Sequence, residues 1–180
     1  MKIIKKIALL LLVLIGLFLL AALFMKKDYA VEREVVINQP RDSVFNYIKH
    51  VKNQDHFSVW NQKDPAMKKT FSGTDGQVGF VYGWDSAKDD VGAGEQEIKK
   101  ITNGERIDFE LRFTRPFEDT GYAYFTTETV SPTQTKVKWG FNGKMPFPMN
   151  AMMPIMGMED MLGGDLQKGL NDLKAELEKK

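Results

Sequence analysis

The longest apolar run in the chain lies near its amino terminus. From Ile7 to Met25 there are 19 residues without a charge, and lysines flank the run on both sides. As a helix this run would be about 28 Å long, close to the roughly 30 Å of bilayer hydrocarbon. The pattern therefore predicts a single-pass transmembrane anchor, with residues 1–27 as the anchor and its basic flanks and residues 28–180 as one folded domain.

A cleaved signal peptide is the competing interpretation of this run. The apolar part of a signal peptide is typically about 7 to 15 residues long and is followed by small residues. Here the run is longer and ends in Leu23, Phe24, Met25 and Lys26, which favours an uncleaved anchor. Three lysines precede the span and two follow it directly, so the positive-inside rule predicts a cytoplasmic amino terminus and a folded domain on the extracytoplasmic side.

The hydrophobic pattern of the rest of the chain predicts a strand, two short helices, about six further strands and a last helix. Residues 28–38 alternate as a strand, and apolar residues at helical spacing follow Pro40. A second short helical piece is expected over residues 53–59, with a turn at 61–65. Further strands are predicted at 67–72, 78–84, 94–101, 106–113, 122–130 and 137–141. The irregular spacing of Ile98 and Ile101 predicts a bulge.

Two patterns fix how these elements pack. One predicted strand alternates apolar and charged residues, with Ile107, Phe109, Leu111 and Phe113 as its apolar positions. This pattern predicts a sheet with one buried face and one face exposed to solvent. No helix long enough to connect parallel strands lies between the predicted strands, so the sheet is antiparallel. The last helix carries one apolar stripe, formed by Leu166, Leu170, Leu173 and Leu177. The prediction is an α+β fold, a strongly curved antiparallel sheet of about seven strands around a long C-terminal helix, preceded by one transmembrane helix.

Several local motifs resemble the START-like, helix-grip superfamily (SRPBCC), in particular its polyketide cyclase/dehydrase-like branch. The matching stretches are "VVINQPRDSVF" (35–45), "FSVWNQKDP" (57–65), "GERIDFELRFTRPF" (104–117) and "GGDLQKGLNDLKAELE" (163–178). The resemblance covers roughly residues 31–178 and is specific for fold rather than activity. It implies a cavity for a hydrophobic ligand between the sheet and the last helix.

The predicted ligand site is the apolar face of the sheet together with the residues that would close it. Binding sites are commonly concave and mostly apolar, with few polar groups. An ordinary packed core is the alternative for each residue taken singly. The candidate ligand-binding residues are Trp60, Phe80, Tyr82, Trp84, Phe109, Leu111, Phe113, Trp139, Phe141, Met152, Met156 and Leu162.

A methionine-rich run precedes the last helix. Seven of the ten methionines lie between Met145 and Met161, where three prolines interrupt regular helix. Flexible thioether side chains adapt to irregular shapes. A movable lid over the cavity mouth, resting on the membrane, is one interpretation, and methionine filling of the core is the other.

Charge and motif content exclude several classes of function. Without the anchor the domain has 20 basic and 24 acidic residues, a net charge of −4, which argues against a nucleic-acid partner. Cysteine is absent, and His50 and His56 have no ligand spacing, so no metal site is predicted. No nucleotide fingerprint is present and no cofactor is expected.

Catalytic candidates are few. Tyr122, Tyr124 and Glu128 share one face of a predicted strand and would supply polar groups to the cavity if the protein were an enzyme. The leading prediction is a membrane-anchored binding protein for a small hydrophobic or amphipathic molecule or lipid. The alternatives are a cyclase- or dehydratase-like enzyme using the same cavity, and a protein-binding module resembling activators of a chaperone ATPase.

Overall fold

The computed structural model describes the backbone of residues 2–179 and the side chains of residues 3–155 and 157–179. The chain forms two compact units, which are described separately. One contains the residues up to 29 together with 144–158, and the other contains 30–143 together with the residues from 159 onward.

Seven strands and five α-helices make up the described chain. The strands are β1 (Asp28–Ile37), β2 (Lys68–Ser72), β3 (Val81–Asp85), β4 (Ala93–Thr102), β5 (Arg106–Arg115), β6 (Asp119–Ser131) and β7 (Gln134–Lys144). The α-helices are α1 (Lys2–Phe24), α2 (Arg41–Ile48), α3 (Val59–Lys63), α4 (Met153–Met156) and α5 (Met158–Leu177). Short 3-10 helices occupy Val51–His56 and Met149–Met152.

The strands form one antiparallel sheet in the order β1-β7-β6-β5-β4-β3-β2. Consecutive strands from β2 to β7 are neighbours, and β1 joins the sheet beside β7. This arrangement, with a C-terminal helix and an apolar N-terminal helix, confirms the predicted fold class. The predicted bulge is confirmed by a register shift between Ile98 and Lys100.

Two local predictions are wrong. Residues 61–63 are not a turn, because α3 continues through them to Lys63. The strand expected from Val78 begins at Val81, because Gly79 has a φ of +87° and interrupts extended backbone. The bond from the Ile98 amide to the Phe80 carbonyl (3.0 Å) nevertheless keeps Phe80 beside β4.

The core lies between the sheet and α5. Leu166, Leu170 and Leu173 are completely or almost completely buried, as the leucine stripe predicts. Gly169 lies on the same side of the helix, where an added Cβ would be 2.7 Å from the Trp139 ring. The missing side chain therefore lets the helix approach the sheet closely at this point.

In the other unit, α1 packs against the 3-10 helix Met149–Met152. Ala22 is fully buried, whereas the other residues of α1 from Ile3 to Phe24 are exposed. The helix from Ile3 to Phe24 is long and apolar enough to span a membrane.

The contact at Gly169 generates a prediction for two glycines of α5. We expect Gly169→Ala to lower the free energy of unfolding by about 1–3 kcal/mol, because the new methyl overlaps the buried Trp139 ring. Gly164→Ala should raise it by up to about 1 kcal/mol, since Gly164 has no atom near its missing Cβ and alanine favours helix.

Denaturant titration of the full chain in a nonionic detergent, followed by tryptophan fluorescence, measures both variants. Effects of the same sign and size at the two glycines would contradict the close approach of α5 to Trp139.

Candidate functional site

The inner face of the sheet is the face that carries the buried side chains, and it carries most of the predicted ligand-binding residues. The register sets them in rows across the strands: Ile98 is opposite Phe109, and Phe109 is opposite Ala123. Gln96, Leu111 and Gly121 form the next row. Alternation therefore places Phe80, Tyr82, Trp84, Phe109, Leu111, Phe113, Trp139 and Phe141 on one side.

One end of this face is filled by the protein's own side chains. Phe57 is fully buried and packs edge-on against Phe125 (6.1 Å between centroids) and Trp139 (5.8 Å). The Phe125 and Trp139 rings are 4.8 Å apart, and Phe109 packs edge-on against Phe125. Trp139 and Phe109, predicted as ligand-binding residues, are thus packed core residues at this end.

The other end of the inner face is only partly covered. Trp84, Leu111, Phe113 and Phe141 are each half-buried. Trp84 packs edge-on against Phe113 at 5.8 Å and is held in place by a 3.2 Å hydrogen bond from its indole Nε1 to the Val91 carbonyl. The structure therefore leaves apolar and aromatic surface reachable by solvent on a face that is otherwise buried.

Two glycines shape this open end. An added Cβ at Gly94 would be 2.9 Å from the Trp84 ring, and one at Gly121 would collide with the Phe141 ring. Each ring therefore lies against bare backbone of the neighbouring strand. The two aromatic side chains therefore extend over the backbone of the neighbouring strands.

A polar cluster lies beside the inner face. The Asp55 carboxylate accepts hydrogen bonds from the Tyr82 hydroxyl (2.7 Å) and the Asn61 amide (2.7 Å). Its second oxygen is 2.8 Å from the Lys69 ammonium. Tyr82 is 3% exposed, so its hydroxyl is a buried polar group with partners from a helix and from the 3-10 segment.

The cluster changes the pKa values of two of its members in opposite directions. Burial alone would raise the pKa of Asp55, but the hydrogen bonds from Lys69, Tyr82 and Asn61 outweigh it and hold the pKa below its usual value. Burial and the neighbouring Asp55 carboxylate raise the pKa of Tyr82. At neutral pH Asp55 is therefore ionised and Tyr82 is protonated.

The three catalytic candidates do not face the buried side. Ala123, Phe125 and Thr127 of β6 are buried, so Tyr122, Tyr124 and Glu128 lie on the outer face. Tyr124 and Glu128 line an open groove of about 380 Å³ on that face. The prediction that they supply polar groups to the inner cavity is wrong in placement, because their strand parity is opposite to that of Phe125.

The groove is a network of paired charges. The Tyr124 hydroxyl donates to Glu32 (2.6 Å), Lys138 contacts the other oxygen of Glu32 (2.9 Å), and the Arg106 guanidinium stacks 4.1 Å from the Tyr124 ring. The hydrogen bond from Tyr124 is the main cause that lowers the pKa of Glu32. Burial, helped by Glu32, raises the pKa of Tyr124 to about 12.

The remaining predicted site residues are distributed over both units. Trp60 is half-buried and packs edge-on against Trp139 at 6.1 Å. Leu162 is half-buried in α5. Met152 is half-buried in the unit that contains α1. The side chain of Met156 lies outside the described residues.

Sequence reasoning missed the polar cluster and Gln96. Asp55, Asn61, Lys69 and Tyr82 belong to four different elements, so no local spacing connects them. Gln96 is a buried amide on the inner face, at the level of Tyr82 and Leu111; its position inside an alternating strand was the available signal. Among residues 2–179, no group of three or more His, Cys, Asp or Glu could hold a metal ion.

The polar cluster predicts a pH-dependent stability term. A carboxyl whose folded pKa is depressed stabilises above its unfolded pKa of about 3.9 and loses that contribution as the pH falls through the folded value. Asp55→Asn should therefore lower the free energy of unfolding by roughly 1–2 kcal/mol near pH 6 and by much less near pH 2.5.

Detergent-solubilised full-length protein, unfolded in denaturant at the two pH values, measures this difference. Asp89→Asn is the matched control, because Asp89 is exposed in the loop between β3 and β4. A pH-independent effect of Asp55→Asn would show that the carboxylate charge is unimportant to the cluster.

Comparisons with known proteins relate the chain to others through structure alone. No protein-family model matches it, and no curated protein matches it. Truncated norcoclaurine synthase from Thalictrum flavum superposes with a TM-score of 0.60 at 10% identity, over 87% of this chain and 98% of that one. The Aha1 protein from Colwellia psychrerythraea, solved as a dimer, gives 0.57 at 14% identity, over 83% and 96%.

A third similar structure is Ara h 8.0201, with a TM-score of 0.53 at 12% identity, over 83% of this chain and 97% of that one. These identities are low, so the likeness concerns the fold and not the activity. Each of the three structures superposes on more than four-fifths of this chain. Together with the strand order of the sheet, these matches show that this protein has the helix-grip fold.

Proposed function

We propose that this protein is a membrane-anchored binding protein for a small hydrophobic or amphipathic molecule, held against the open end of the inner sheet face. The observation that carries the proposal is the half-buried apolar set of Trp84, Leu111, Phe113 and Phe141. Contiguous apolar surface left open to solvent commonly marks a binding site. The fully packed end around Trp139 serves as the rigid wall of the site.

The polar groups near this surface suit an amphipathic ligand. Gln96 lies in the same cross-strand row as Leu111, and Tyr82 lies opposite Gln96. A pocket that is mostly apolar uses a small number of polar groups to orient its ligand. A ligand with one polar end could therefore direct that end towards Gln96.

A cyclase-like enzyme is the alternative that uses the same face. Norcoclaurine synthase shares the fold, and the cluster around Asp55 includes Tyr82 of the inner face. General acid and base catalysts work best with a pKa near the operating pH. Asp55 and Tyr82 have pKa values moved away from neutrality, in opposite directions. Their electrostatics favour a structural role and hence the binding protein.

A protein-binding module is the third possibility, since Aha1 shares the fold. Such a module needs exposed apolar surface. In the described chain large exposed apolar residues also occur outside the inner face, for example Phe147, Met149 and Ile155. All three belong to the unit that contains α1, and a bilayer would cover them as well as a protein would.

The contacts of α1 support an anchor that is retained rather than cleaved. Asn150 is fully buried, and its side-chain amide donates to the carbonyls of Ala22 (2.7 Å) and Met25 (3.1 Å). The Met145 amide donates to the Lys27 carbonyl (2.8 Å). Cleavage after the apolar run would remove both the acceptors of Asn150 and the helix that packs against the Met149–Met152 turn, so the hydrogen bonds that hold this segment would be lost.

Substitution at the open end tests the ligand site. We expect full-length protein in detergent to bind one molecule of oleate, used as an amphipathic probe, in native mass spectrometry. Leu111→Arg should weaken the adduct tenfold or more, by roughly 1.4 kcal/mol, because it places a charge on the apolar face. Thr114→Arg adds the same charge on the outer face of the same strand and should leave binding unchanged.

An equal adduct in Leu111→Arg would place the bound oleate away from this face, for example along α1. A wild-type protein that carries no adduct would contradict the proposed binding function itself.

Intact mass tests the retained anchor. The chain purified from the membrane fraction should have the full mass of 20.5 kDa, because the buried Asn150 donor keeps its acceptors only while α1 remains attached. A mature product that lacks the first 25 or so residues, as expected of a signal peptide, would contradict the anchor while leaving the ligand site untouched.

A further inference from the structure

The segment of residues 145–158, here called the methionine segment, packs on the carboxyl end of α1. The last carbonyls of any α-helix lack partners within the helix. Asn150 donates to the Ala22 carbonyl in the last turn of α1 and to the Met25 carbonyl just after the helix, and the Met145 amide donates to the Lys27 carbonyl. Because these three acceptors lie in the last turn of α1 and in the three residues that follow it, the methionine segment is held where α1 ends.

The methionine segment exposes apolar side chains. Phe147 is 40% exposed, Met149 is 52% exposed and Ile155 is 74% exposed. Phe24, at the end of α1 in the same compact unit, is 85% exposed. The buried residues of the segment are small or polar, Asn150 and Ala151. The segment therefore exposes three of its large apolar side chains while it buries its asparagine, which is unusual for a surface in contact with water.

Its composition fits the boundary of a bilayer. All 14 residues from Met145 to Met158 are uncharged, whereas Lys26, Lys27 and Lys144 at the same end of the unit are basic and exposed. Cations at the edge of a membrane-spanning helix interact with lipid headgroups. An uncharged segment beside such cations matches the transition from hydrocarbon to headgroups.

Its secondary structure excludes a second span. The segment is shorter than the roughly 20 residues that a spanning helix needs. Pro146, Pro148 and Pro154 divide it, and its helical pieces, Met149–Met152 and Met153–Met156, are single turns. Backbone of this kind cannot have all its polar groups satisfied in hydrocarbon, but it is tolerated in the hydrated interface.

We infer that the methionine segment is a membrane-interface element: docked on the end of α1 through Asn150, it inserts Phe147, Met149 and Ile155 among the lipids at the bilayer surface. The inference rests on the anchoring role of α1 in the proposed function. It assigns a fixed place to a segment that could otherwise be interpreted as a freely moving lid.

The absence of cysteine from the chain permits a clean labelling test. Met149→Cys and Ile155→Cys, each carrying an environment-sensitive fluorophore, are reconstituted as full-length protein in vesicles of phosphatidylcholine and phosphatidylglycerol. We expect lipids spin-labelled near the headgroup to quench both sites more strongly than lipids labelled deep in the acyl chain. Leu14→Cys, in the middle of α1, should show the opposite order.

The outcomes separate the inference from the anchor. Quenching at Leu14 without quenching at Met149 and Ile155 would overturn the inference and leave the anchor standing. Absence of quenching at Leu14 would refute the anchor, and the inference would fall with it. Protection of Met149 and Ile155 from both spin-labelled lipid and aqueous iodide would show that a protein partner or a second copy covers the segment instead.

Asn150 itself is tested in the Ile155→Cys background. Asn150→Ala should reduce the lipid quenching at Ile155 about twofold or more, since losing the hydrogen bonds that hold the segment shifts its docked population. Asn142→Ala, at an exposed position of β7, should not. The same Asn150→Ala substitution in the Leu14→Cys background should leave the quenching at Leu14 unchanged, which shows that the variant remains inserted. Undiminished quenching at Ile155 in Asn150→Ala would overturn the docking role of Asn150.

Discussion

The close approach of α5 to the sheet at Gly169 is the contact on which the folded domain depends. A Cβ at that position would meet the Trp139 ring at 2.7 Å and the Phe57 carbonyl at 3.2 Å. The sheet, the last helix and the residue that follows the 3-10 helix Val51–His56 therefore meet at this point. Phe57 and Phe125 then pack against the same indole. Because protein interiors are close-packed, this end of the inner face has no room for a guest molecule, and any ligand site must lie farther along the sheet.

The two faces of the sheet differ in what they offer a ligand. On the outer face, Arg112 is surrounded by Glu95, Glu97 and Glu110, and the groove around Glu32 is likewise internally paired. Exposed pairs of this kind satisfy one another and contribute little net energy, so they attract a charged ligand only weakly. The open end of the inner face instead presents aromatic surface that no described ion pair covers. The hydrophobic effect therefore favours the inner face over the outer face for the proposed ligand.

Much of the fold could be predicted because it follows from periodicity. The alternation of Ile107 to Phe113 and the leucine stripe of α5 each identify the side that faces the core, and the fold class was confirmed. The candidate site was harder to predict from the sequence. Tyr122 and Tyr124 look more apolar than Gly121 and Ala123, yet the small residues face the core because Phe141 needs the space over Gly121. Likewise, Asp55 and Tyr82 meet through tertiary packing, and no sequence spacing connects residues 27 positions apart in this way.

The methionine segment shows why a local pattern can be uninterpretable without its partner. Taken alone, an uncharged run broken by prolines fits a lid or a core equally well, and its single asparagine looks incidental. The structure supplies the missing partner, the carboxyl end of α1, whose carbonyls need donors that the helix cannot provide. Asn150 can satisfy them and still be buried. In the proposed function, Asn150 is therefore part of the anchor, and the exposed apolar residues around it belong to a segment that lies at the membrane surface.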